Sequence, residues 1–106
     1  MDKQIAKLNK IAGGLCKSLE IPDDIQEILN VKSKTDFHKA LAKLIEGMIE
    51  NDFERFLSVM YRMDVSELKL KEILNNADAE QVYIKIAELV IKREEEKIFW
   101  REKYKS

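Results

Sequence analysis

The side chains that could do chemistry in this chain are few, and their spacing argues against most of it. One histidine, His38, and one cysteine, Cys16, are the whole supply of imidazole and thiol in 106 residues. Two such groups cannot build a tetrahedral zinc site from nitrogen and sulfur ligands. Glu46, Glu50 and Glu54 form an i, i+4 ladder, but a dimetal carboxylate centre in a helical protein also needs Glu-x-x-His pairs, and nothing acidic precedes His38 at that spacing. The ladder lies opposite the apolar stripe of its helix and reads as a solvated face. His38 sits in the first turn of a helix with no acid or nucleophile tied to it by sequence, so it reads as a surface residue rather than a base. Gly13-Gly14 is followed by neither a GK[ST] nor a GxxG pattern and follows no strand, which removes a phosphate cradle. The expectation is a non-enzymatic protein with no catalytic, cofactor-binding or metal residue, no cofactor and no evident small-molecule ligand.

The run Ile98-Phe99-Trp100-Arg101-Glu102-Lys103-Tyr104 is the exception. Three large apolar side chains in succession point across about 200° of a helix and cannot all face one core. Trp100 and Tyr104 fall where they would cap the chain's own core, which leaves Phe99 or Ile98 outside. Aromatic and arginine side chains are favoured anchors between proteins. Ile98, Phe99, Trp100, Arg101 and Tyr104 are therefore the candidate partner-binding residues, for a protein partner or for a second copy in a homodimer. The function expected is a helical protein-protein interaction module that associates with itself.

Two other classes remain open. A nucleic-acid-associated or regulatory accessory protein would show a contiguous patch of Lys92, Arg93, Lys97 and Arg101, and an enzyme component completed by a partner would show a deep pocket with an acid near His38. Sequence-reading of DNA is disfavoured. The helix from Ala79 has a recognition helix's length, but Val82, Tyr83, Ile84 and Ile86 stand where base-reading Arg, Asn or Gln should.

The elements that must position these residues are helices. From Asp23 to Ser106 there is no proline and one glycine, Gly47, while apolar residues recur every three or four positions. No segment alternates as a strand does. The first helix is expected over about Lys3 to Glu20, with Ile5, Leu8, Ala12, Leu15 and Leu19 as its stripe. Gly13 and Gly14 are off that stripe and cost about 2 kcal/mol of propensity, which allows a kink or fraying of residues 1–14. Pro22 opens a short helix to about Asn30, and Ser33 or Thr35 caps the next. From Asp36 to Met63 the apolar positions keep phase through Phe37, Leu41, Ile45, Phe56 and Met60, predicting one continuous helix of roughly 42 Å. A break at Asp52, itself a good N-cap, is the alternative. Asp64 and Glu67 have capping-box spacing for a helix to about Asn75, and Asp78 with Gln81 repeats the device. The last helix, about Ala79 to Tyr104, carries one stripe through Val82, Ile86, Val90, Trp100 and Tyr104. A second runs through Ile84, Ala87, Ile91 and Ile98, about 140° away. The predicted fold is a single all-α domain over 1–106, a four- to five-helix bundle in which a long central helix pairs antiparallel with a long C-terminal helix.

Composition sets the remaining bounds. Hydrophobic residues make up 45% and charged ones 37%, with a formal net charge of −1, the balance of a helical protein with charged outer faces. The charge is unevenly spread: residues 1–17 carry four basic and one acidic group, 18–84 eight and fourteen, and 85–106 seven and five. Thin basic ends disfavour nucleic acid as a partner. No stretch nears the roughly 18 apolar residues of a membrane span, and a lone cysteine suits a reducing compartment. A cytoplasmic, membrane-free location is expected.

At Phe53-Glu54-Arg55-Phe56-Leu57-Ser58-Val59-Met60-Tyr61-Arg62-Met63-Asp64-Val65-Ser66-Glu67, and again at Ala87-Glu88-Leu89-Val90-Ile91-Lys92-Arg93 with Arg101 and Tyr104, the chain resembles an uncharacterised family of small all-helical bacterial proteins. The resemblance spans about the C-terminal half. It implies a compact helical fold and supplies no activity and no functional residue.

Overall fold

The computed structural model describes residues 3–21, 33–76 and 78–104, with backbone alone for 3–6 and 34. Among the described residues the chain forms five α-helices and no strand: α1 Lys3–Ser18, α2 Lys34–Asn51, α3 Phe53–Arg62, α4 Glu67–Asn76 and α5 Ala79–Lys103. The short helix expected from Pro22 to Asn30 lies outside the described residues.

Ser33 caps α2 as its sequence position foretells, its hydroxyl accepting from the Asp36 N–H at 3.2 Å. The predicted continuous helix does not form, because Asp52 interrupts it. At φ −158° and ψ 83° this residue leaves helical geometry, its N–H still donating to the Met48 carbonyl while its Oδ1 accepts from the Arg55 N–H at 3.1 Å. One residue thus closes α2 and opens α3. An acceptor and a negative charge at a helix N-terminus satisfy otherwise orphaned donors. Phase survives the interruption, since Phe37, Leu41 and Ile45 before it and Phe56, Val59, Met60 and Met63 after it are all buried in one core.

The cap of α4 also differs from expectation. Ser66 holds it, its hydroxyl accepting from the Lys69 N–H at 3.3 Å, while Asp64 is left-handed at φ 60°. An N-cap needs extended backbone, so Asp64 cannot serve as one. It belongs instead to the closure of α3, in which the Asp64 N–H donates to the Tyr61 carbonyl and the Val65 N–H to that of Met60. The end of α1 repeats this pattern, with Glu20 at φ 54° donating to the Lys17 carbonyl and Ile21 to that of Cys16.

Helix α5 organises the core. It contacts α1, α2 and α4, most extensively α2, and buries Ile86, Ala87, Val90, Ile91 and Glu94. Glu94 is a carboxylate among hydrophobes, 1% exposed, and its Oε2 has no hydrogen-bond partner among the described residues. At 100° per residue it falls between the two apolar stripes, in the middle of the buried arc. Gly14 of α1 makes room for it. A Cβ at Gly14 would collide with the Glu94 carboxyl group, whereas the same addition at Gly13 would meet nothing. The two glycines thus have separate roles, and only Gly14 sets how closely α1 approaches α5.

Two substitutions test this packing. Gly14→Ala overpacks a confined contact at about 1–3 kcal/mol and regains about 1 kcal/mol of helix propensity, a net loss of about 1 kcal/mol. In a Glu94→Ala background only the propensity gain is left. The same change should then turn stabilising, a reversal of sign readable in urea unfolding curves. Asp52→Ala removes the α3 cap and should cost about 1 kcal/mol in the same assay, with retention of full stability arguing against the capping role.

Candidate functional site

The five predicted partner-binding residues occupy the last two turns of α5, past the end of its buried arc. Glu94 is the last residue of α5 that is fully buried. Ile98 packs on the core margin, while Phe99 is 59% exposed, Trp100 46% and Tyr104 76%, with Arg101 exposed beside them. The expectation that Trp100 and Tyr104 cap the chain's own core is therefore replaced. The reason lies one turn earlier, where Arg93 takes the core-stripe position. Its Nε donates to the Met63 carbonyl at 3.0 Å and its two Nη atoms reach Asp64 and Glu96, so polar contacts with the α3–α4 turn end the apolar seam.

The aromatic residues hold one another. Trp100 and Tyr104 stack with centroids 5.8 Å apart, Phe99 meets Trp100 edge-on at 5.5 Å, and the Lys103 ammonium sits 5.1 Å from the Trp100 ring centre. A groove of about 430 Å³ runs beside them between α1 and α5, floored by Ile11 and Ile98. Its rim is cross-linked by ion pairs from Lys7 to Glu95 and from Lys10 to Glu102. The arrangement offers partly exposed aromatic area beside a rim of lysines and glutamates. Its charged lining is Lys7, Lys10 and Lys92 with Glu95, Glu96 and Glu102.

No family model, curated protein or solved structure matches this chain. Its side chains alone carry the functional reading.

The features that would mark the other two classes are differently arranged. Arg93 is drawn into contacts with Met63, Asp64 and Glu96, so Lys92, Arg93, Lys97 and Arg101 do not form one open basic patch. His38 is half-buried, its Nε2 has no hydrogen-bond partner among the described residues, and it lines neither the α1–α5 groove nor the two grooves on α3. Among the described residues no three His, Cys, Asp or Glu side chains converge as metal ligands, and no helix is long and apolar enough to cross a membrane.

Sequence reasoning missed a second apolar surface. Phe53, Leu57 and Tyr61 stand one turn apart along the outside of α3, Tyr61 at 85% exposure. Beside Leu57 and Tyr61 a groove of about 550 Å³ runs toward α4, walled by Met60, Val65 and Leu70. The i, i+4, i+8 spacing was available as a signal. It is masked by the stronger in-phase stripe of Phe56, Met60 and Met63 on the same helix.

A third groove, about 340 Å³, lies where α1 ends against the α2–α3 joint, between Leu44, Met48 and Phe56. Glu20 closes one side of it and clasps α3, accepting from both Nη atoms of Arg62 at 3.0 and 2.9 Å, while its carbonyl accepts from Arg55. The Arg62 hydrogen bonds, and then the Arg62 charge, hold the Glu20 carboxyl below its ordinary value of 4.5 and raise Arg62 in turn. Both groups are exposed, so solvent screens the pair.

Because the folded carboxyl gives up its proton more readily than the unfolded one, this contribution is whole above the ordinary glutamate pKa and is lost as pH falls through the depressed value. Glu20→Gln should therefore lower stability at neutral pH and flatten its decline on acidification. Chemical unfolding across that acidic range checks it, and an unchanged acid limb would contradict it.

Proposed function

We propose that this protein is a non-enzymatic helical interaction module that associates with itself, at its simplest as a homodimer, through the aromatic end of α5. In this reading α2 and α5 run antiparallel as a frame, and the last two turns of α5 carry the contact surface beyond it. One observation supports it above the others: Phe99, Trp100 and Tyr104 form a mutually packed aromatic cluster that is 46–76% exposed. Exposed apolar patches of this kind on a small domain mark interaction surfaces, and tryptophan, tyrosine and arginine are the residues that dominate binding energy in them.

Phe99→Glu or Trp100→Glu places a charge in what would be a desolvated contact with no partner for it. Each should weaken self-association by more than about tenfold while leaving the helical dichroism signal intact, because neither side chain is needed to fill the core. Sedimentation velocity across protein concentration measures this. Loss of folding would instead assign the cluster to the core, and a wild-type protein that stays monomeric at high concentration would overturn self-association.

A further inference from the structure

We propose that the aromatic end of α5 seats on an anionic lipid surface, with Phe99, Trp100 and Tyr104 entering the headgroup region while Lys97, Arg101 and Lys103 meet lipid phosphates. This goes beyond self-association and does not depend on it: a bilayer and a second copy would compete for one surface. The membrane-free location expected from sequence rests on the lack of a spanning stretch, and a seat on the surface needs none.

Charge is the first support. Lys97, Arg101 and Lys103 make no ion pair among the described residues. The one acid of these two turns, Glu102, is taken up by Lys10 of α1, and those of the turn before, Glu95 and Glu96, by Lys7 and Arg93. Over 97–106 the sequence holds four basic residues and one acidic, whereas 18–84 holds eight and fourteen. A bilayer's field reaches only about a Debye length, so the part of the chain nearest the surface decides the attraction. The α5 end is drawn in and the acidic middle faces away. Residues 53–72, which carry the exposed stripe of α3, hold four acidic and four basic groups and lack this bias.

Arrangement is the second. At 100° per residue Phe99, Lys103, Trp100, Tyr104, Lys97 and Arg101 share an arc of about 200°, and Ile98 and Glu102 fall on the rest of the circle, toward α1. The outward arc thus interleaves three aromatic rings with three cations and holds no acid in these turns. Tryptophan and tyrosine gather at the level of lipid headgroups, and lysine and arginine stems lie along apolar surface with their charges reaching the phosphates. Lys103 is already so placed, its ammonium lying over the Trp100 ring. Nucleic acid is the lesser fit, because Trp100 already stacks on Tyr104 and carries that ammonium, contacts a stacked base would have to displace.

Trp100 is the only tryptophan of the chain, so its fluorescence reports on the proposed contact directly. The full chain is mixed with vesicles of equal parts phosphatidylserine and phosphatidylcholine, and separately with vesicles of phosphatidylcholine alone. The anionic vesicles should shift the emission to shorter wavelength and carry the protein down on centrifugation, and the neutral ones should bind more than about tenfold more weakly. Raised salt, which needs no variant, should release the protein. Lys97→Glu combined with Arg101→Glu should lower binding to the anionic vesicles by more than about tenfold with the helical dichroism signal intact, whereas Tyr61→Ser on α3 should bind as the wild type does. Equal shifts with both vesicles, salt-insensitive binding, or binding that survives the double change in a folded protein overturns the inference. So does a shift produced by duplex RNA and not by the anionic vesicles, which would give this end to nucleic acid. Sedimentation without lipid measures self-association separately, so a monomeric protein that binds the vesicles overturns only the earlier reading.

Discussion

Apolar side chains on two sides of α5 oblige the fold to cover that helix twice, and the other elements are arranged to meet this demand. Helices α1, α2 and α4 all pack on it, and Ile86 and Val90 are buried in the common core. The rest of the buried arc includes a carboxylate, and there the approach of α1 is governed by a single residue without a side chain. Gly14 is what allows α1 to lie against Glu94. Burying an unpartnered carboxyl oxygen is costly, so this part of the interface is held by the hydrophobes around it, Ile11, Leu15 and Ile91, rather than by the polar group at its centre.

The same constraint explains why α5 ends in exposed aromatics. Its covering helices are shorter than it is, and Arg93 closes the seam by turning to the α3–α4 turn instead of to more core. The last turns of α5 keep an apolar pattern that α1 flanks only in part, along the groove of Ile11 and Ile98. The exposed aromatic surface is the continuation of an apolar stripe past the point where the core stops.

Much of this was legible in the residues. Period and punctuation identify helices throughout the described residues, and Ser33 announces its cap. The joint at Asp52 was harder, because a single non-helical residue barely disturbs the phase of a stripe, so Phe37 to Met63 reads as continuous whether or not the chain breaks. Asp64 misled for a different reason. Aspartate suits both an N-cap and a left-handed closure, and only the Met60 and Tyr61 carbonyls, which its turn satisfies, decide between them. The burial of Glu94 could have been inferred from its angular position, yet a glutamate within the run Glu94-Glu95-Glu96 reads by type as solvated. The surface of α3 is hidden in the sequence because one helix carries two stripes, and the longer, core-facing one dominates the pattern.

The closures of α1 and α3 share an arrangement with a wider meaning. Each turns on an acidic residue in the left-handed region, Glu20 and Asp64, where glycine would be at ease and an L-residue bears about 1–2 kcal/mol of strain. Each carboxylate is then held by an arginine from a helix distant in sequence, Arg62 and Arg93. With glycine at these positions, both turns would be favourable whether or not the rest of the molecule had assembled. With an acid, an exposed and solvent-screened ion pair offsets part of that strain once the molecule has assembled. The ion pairs tie the end of α1 to α3 and the end of α3 to α5, a weak link between each local stop and the tertiary structure.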